Sequence, residues 1–87
     1  MTWKNITKET TQNYIWLQKF REGDHAALNY VYQHVFNSLL VYGKRILNDE
    51  FAVATIVQES ILKGWDFRNR MQSMFHIYRF MRLNVTW

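Results

Sequence analysis

Leu28, Tyr32, Val35, Leu39, Tyr42 and Ile46 follow one another at steps of 4, 3, 4, 3 and 4. That spacing lines one face of an α-helix and predicts a long helix over about residues 25–47. Asp24 is its natural N-cap, and Gly23 before it is a left-handed stop for a preceding helix. Gly43 lies inside the stripe, where glycine costs about 1 kcal/mol against alanine, so another helix is expected to approach closely there. Lys44 and Arg45 suit the negative end of the helix dipole.

Three shorter segments repeat the 3/4 spacing. The first is predicted over about residues 8–20, capped by Thr7, with Tyr14, Leu17 and Phe20 or Arg21 on its inner face. A third helix over about residues 50–67 is capped by Asp49 and buries Ala54, Val57, Ile61 and Trp65 or Gly64. Asp66 to Ser73 reads as a polar connection, and Ser73 caps a fourth helix over about residues 74–86. In that last helix Met74, Ile77, Met81 and Val85 share one side, while Phe75, Arg79, Arg82 and Thr86 share another. No stop signal precedes Trp87, which predicts a longer natural protein. Together the segments predict an all-α compact bundle of about four helices, in one domain over residues 1–87.

Composition narrows the class further. The 87 residues contain no Pro and three Gly, too few turn formers for an all-β domain. Aromatic residues make up 17% of the chain, which excludes intrinsic disorder. The absence of Cys excludes disulfide frameworks, thiolate zinc sites and cysteine nucleophiles. Met1 to Lys8 is polar and lacks the apolar stretch of a secretory signal, so a cytoplasmic protein is expected.

Charge changes the picture more. The net charge is +4, yet residues 1–66 hold seven Lys/Arg against seven Asp/Glu. Arg68, Arg70, Arg79 and Arg82 therefore carry the whole excess, mixed with Phe67, Phe75, Tyr78, Phe80 and Trp87. Arginine interleaved with aromatics suits exposed nucleotides, the cation on phosphate and the ring on a base. The competing reading is a solvated helix face with core aromatics, and core packing is preferred for Tyr78 and Phe80.

Enzymatic chemistry finds no constellation. His25, His34 and His76 lack metal-ligand spacing, and His34 is expected to be a packed or surface histidine. Glu22, Asp24, Asp49 and Glu50 fall at helix boundaries, where capping accounts for them. No glycine-rich phosphate loop and no nucleophile–base pair is visible, so neither an enzyme nor a cofactor or metal site is expected.

Val57-Gln58-Glu59-Ser60-Ile61-Leu62-Lys63-Gly64-Trp65 resembles the second conserved region of bacterial sigma factors of the extracytoplasmic-function (ECF) type, which reads Val-Gln-Glu, two apolar residues, then Leu-Lys-apolar-Trp. Gly23-Asp24 followed by Ala27, Arg45-Ile46-Leu47 before Asn48-Asp49, and Ile77-Tyr78-Arg79 followed by Arg82 resemble other parts of that region in the same order. Ala54 and Thr55 stand where the family has an acidic pair, and the family's second promoter-binding domain is absent from these residues.

The resemblance implies a transcription-initiation factor. One face would dock on the clamp helices of the largest subunit of core RNA polymerase, through Asn48, Asp49, Gln58, Glu59, Lys63 and Trp65. The other would recognise and melt the minus-ten promoter element, holding its non-template single strand through Phe67, Arg68, Asn69, Arg70, Gln72, Ser73, Phe75, Arg79 and Arg82. It also leaves room for an anti-sigma partner. Plainer roles stand beside these: Glu59 and Lys63 as an i, i+4 surface pair, Trp65 as core, Asp49 as a cap. Rival functions are a sigma-like interaction module that does not bind DNA, and a self-associating domain using Trp3, Trp16 or Trp87. A duplex-reading helix-turn-helix fits less well, because the last helix follows a long connection without Gly.

Overall fold

The computed structural model describes residues 3–8 and 10–86, so Trp87 lies outside the described residues. Among the described residues five helices follow in order: α1 (Trp3–Thr7), α2 (Thr11–Glu22), α3 (His25–Ile46), α4 (Glu50–Asp66) and α5 (Met74–Thr86). A single 3-10 turn, Arg68–Arg70, lies between α4 and α5. There is no strand among the described residues, as the spacing predicts. The 22-residue α3 is the spine, about 33 Å long at 1.5 Å per residue, and all four other helices pack on it.

Capping fixes most boundaries. Gly23 adopts φ 89°, the left-handed conformation that closes α2, and Asp24 accepts from the Ala26 N–H to open α3. Asp49 accepts from the Ala52 N–H at 3.1 Å, and Ser73 from the His76 N–H at 2.9 Å. The first predicted cap is corrected. Thr10, not Thr7, accepts from the Asn13 N–H, so α2 starts three residues later than expected and runs on to Glu22.

α1 was not legible in the sequence, because five residues show no periodicity and do not hold a helix alone. Tertiary contacts hold it. Ile6 is fully buried, and Asn13 on α2 donates its amide to the carbonyls of Asn5 at 2.9 Å and Lys8 at 2.8 Å. Those bonds explain a second correction: Asn13 takes an inward place on α2, and Tyr14 is 62% exposed.

The inner row of α3 also differs from the predicted stripe. Ala27, Val31, His34, Val35, Leu39 and Gly43 are buried, Leu28, Tyr32 and Tyr42 flank them, and Ile46 is exposed. At Gly43 the backbone itself makes the close contact, while Tyr32 and Tyr42 are only partly covered at the sides. His34 is packed, with its Nδ1–H donating to the Tyr30 carbonyl at 2.8 Å. On α4 the buried row is Val53, Val57, Ser60, Ile61 and Gly64, with Ala54 and Trp65 only partly covered. The predicted inner side of α5 is fully realised in Met74, Ile77, Met81 and Val85, with Tyr78 buried beside them. The connection before α5 is less polar than expected, since Met71 plugs into the core.

Gly43 and Gly64 set the helix spacing. A Cβ at Gly43 would come within 2.7 Å of Val53 Cγ1 and 3.3 Å of Val85 Cγ1, so α3, α4 and α5 converge on that backbone. A Cβ at Gly64 would meet the terminal methyl of Met81 at 2.7 Å. Valine is stiff at χ1, whereas methionine has three rotatable bonds. Gly43→Ala is therefore expected to destabilise by about 1–2 kcal/mol, overpacking exceeding the gain in helix propensity. Gly64→Ala should cost clearly less. Urea midpoints of the two variants check the order, and equal or reversed losses would contradict it.

Candidate nucleic-acid interface

Burial of one side of α5 forces the opposite flank outward. Phe75, Arg79, Arg82 and Thr86 all lie on that exposed flank. α3 and α1 complete the surface. The Arg82 guanidinium lies 4.5 Å from the Tyr42 ring centroid, and the Tyr42 and Thr86 hydroxyls are hydrogen-bonded at 3.0 Å. Trp3 stacks on Tyr78 at 4.3 Å with nearly parallel rings, and its indole is 6.4 Å from Phe75. Trp3, Tyr42, Phe75, Tyr78 and Arg82 line a cleft of about 340 Å³ together with Arg79, and no acid is among its described lining residues.

A larger groove of about 720 Å³ opens at the start of α5. Gln72, Ser73 and Phe75 line it on one side, and Thr10, Thr11 and Tyr14 line it from the N-cap and first turn of α2. Phe75 lines both cavities, so they lie on either side of one exposed ring along the flank. The groove combines two exposed rings with amide and hydroxyl groups, a setting able to stack a base and read its edge.

The predicted DNA set does not form one patch. Phe67 packs on Phe80 at 5.5 Å, and Arg70 lies 5.4 Å over the Phe67 ring. Phe80 projects about 130° around α5 from the middle of the Phe75–Arg79–Arg82 flank, at 100° per residue. Phe67 and Arg70 thus belong to the other side of the helix. Asn69 is exposed, with its carbonyl 3.5 Å from Arg21 Nη2.

Arg68 turns inward. Its guanidinium covers the Trp65 ring at 4.7 Å, donates to the Trp65 carbonyl at 3.1 Å, and would lie 3.4 Å from a Cβ at Gly23. It locks the connection onto the α2–α3 corner instead of facing solvent. Its buried Nε has no hydrogen-bond partner among the described residues.

The predicted polymerase set divides as well. Gln58, Glu59 and Lys63 are exposed on the outer side of α4, and Asn48 is exposed at the α3–α4 turn. Glu59 and Lys63 form no ion pair; among the described residues the one salt bridge is Lys44–Glu50 at 3.7 Å. Asp49 is engaged as a cap. Trp65 meets Phe20 edge-on at 5.0 Å and His25 at 5.8 Å, so it packs within the bundle.

Sequence reasoning missed four contributors. Tyr14 and Tyr42 were assigned to inner faces, and Trp3 sits in a helix without periodicity. Phe51 is 86% exposed at the start of α4 and gave no signal beyond its position. With Thr55, Gln58 and Leu62 it forms an outer strip spaced 4, 3 and 4.

Among the described residues no three His, Cys, Asp or Glu come together as metal ligands, and no helix is long and apolar enough to cross a membrane. Comparison with protein-family profiles, characterised proteins and solved structures found no match.

The tyrosines around the cleft titrate differently. The Thr86 hydroxyl and the Arg82 guanidinium favour the Tyr42 phenolate, against a smaller opposing desolvation, and hold its pKa below the ordinary 10.0. Burial raises Tyr78 above that value, with the charge of Arg82 partly opposing it. Phenolate absorbance against pH should show Tyr42 ionising before Tyr78. Thr86→Val should delay the Tyr42 step, and an unshifted step would contradict the assigned contact.

Proposed function

We propose that this chain is the promoter-opening domain of a sigma factor of the ECF type. It docks on core RNA polymerase through the outer side of α4 and holds the minus-ten element as single-stranded DNA along the exposed flank of α5. It acts by binding, without covalent chemistry. The observation that carries the reading is the neighbouring groove and cleft that share Phe75, where stacking rings, amide and hydroxyl groups and two arginines run from the start of α5 along its exposed flank.

The physical roles follow from the chemistry of each group. Extruding a base from a duplex costs a few kcal/mol. Stacking returns about 1–3 kcal/mol per base, and Phe75 and Tyr14 are the exposed rings available for it. Gln72 and Ser73 supply the hydrogen bonds that distinguish one base from another. Arg79 and Arg82 hold phosphates, and Phe75 to Arg82 spans about 10 Å, three stacked-nucleotide steps of about 3.4 Å. So few phosphate contacts give weak binding to free DNA. Tethering on polymerase raises the effective concentration of the strand.

For the docking face, the strip Phe51–Thr55–Gln58–Leu62 offers two exposed apolar side chains at helical spacing. Exposed apolar groups in such a row suit the groove of a partner helix. Asn48 and the exposed Ile46 and Leu47 lie at the neighbouring turn. Trp65 and Arg68 are given structural roles in this account, and Asp49 that of a cap.

Arg79→Gln/Arg82→Gln should flatten the salt dependence of oligonucleotide binding by about 1.4, at roughly 0.7 per single-strand phosphate contact. Fluorescence anisotropy across a salt series reads the slope. A slope equal to that of the unaltered chain would contradict the assignment of these arginines to phosphate.

A further inference from the structure

The exposed flank of α5 does not end the basic cleft. Beyond Arg82 the surface continues onto α3 as a second cavity of about 400 Å³. Ser38, Tyr42 and Arg45 line it from successive turns of α3, at spacings of 4 and 3, and Arg82 and Trp3 close its other sides. None of its described lining residues is acidic. The neighbouring cation Lys44 is instead paired with Glu50. Arg45 is exposed and has no salt bridge among the described residues.

We propose that Arg45, with the Ser38 and Tyr42 hydroxyls, seats a further phosphodiester of the bound single strand, one nucleotide beyond the phosphate held by Arg82. The inference rests on the single-strand reading above and extends its path onto a second helix. Arg82 is the hinge of the path, because it lines both cavities and is held over the Tyr42 ring. A guanidinium beside hydroxyl donors matches the oxygens of one phosphate, and Arg82 across the cavity holds the preceding one. Trp3, stacked on Tyr78, gives the adjoining base an apolar wall.

The test compares the unaltered chain with Arg45→Gln, Lys44→Gln and Arg82→Gln, all with unchanged helical circular dichroism. Each is titrated with fluorescently labelled single-stranded DNA lengthened one nucleotide at a time, over a salt series. Arg45→Gln is expected to flatten the salt slope by about 0.7. It should also shorten by one nucleotide the length at which affinity stops rising. Lys44→Gln removes the same charge outside the cleft and should leave that length unchanged.

If Arg82→Gln weakens binding while Arg45→Gln changes neither slope nor length, the α3 seat is wrong and the α5 reading stands. If Lys44→Gln and Arg45→Gln behave alike, the effect is one of net charge and the seat is again wrong. If the unaltered chain binds no oligonucleotide, the single-strand reading fails and the seat falls with it.

Discussion

The close approach of three helices at Gly43 governs the architecture. Val53 of α4 and Val85 of α5 both lean on its backbone, so neither helix can rotate without opening a void or meeting a clash. Gly64 adds a second contact of the same kind through Met81. With Met81 and Val85 both held, the rotation of α5 about its axis is set. Its arginines emerge on the flank that faces Tyr42 and Trp3, and Phe80 emerges on the side that receives Phe67. The position of the candidate interface is thus a consequence of two small residues on other helices.

Aromatic and basic residues have separate duties around that frame. Trp65 and Arg68 spend their polar and π surface inside the molecule, fastening the connection before α5 to the α2–α3 corner. Met71 anchors the same connection from below. Gln72 and Ser73, at the mouth of the groove, follow directly after this anchored segment. A rigid support under a reading element keeps its hydrogen-bonding groups in place and lowers the ordering cost of binding.

Much of this was legible in the chain. The caps at Asp24, Asp49 and Ser73, the stop at Gly23, the packing of α5 and the tight contact at Gly43 all express local chemistry that a linear pattern carries. The errors share a different cause. Asn13 displaced Tyr14 from the inner face because its amide found two carbonyls in α1, partners that no periodicity foretells. On α3 the predicted stripe named the larger apolar side chains, whereas the buried row also takes in Ala27, Val31, His34 and Gly43. The candidate DNA residues were grouped by the family resemblance and by the arginine–aromatic clustering of residues 67–87. The helix separates Phe67 and Arg70 from Phe75, Arg79 and Arg82, and Arg68 satisfies itself internally. Tyr42 and Trp3 joined the site through tertiary packing alone.

The account stands or falls on a partner for the outer side of α4. The direct measurement is the affinity of the chain for bacterial core RNA polymerase, compared with that of Gln58→Ala/Glu59→Ala, a pair exposed on α4 and outside the core. With helical circular dichroism unchanged, the account predicts binding by the unaltered chain and at least a tenfold loss in the double variant, about 1.4 kcal/mol. Failure of the unaltered chain to bind, or equal binding by both, would contradict it.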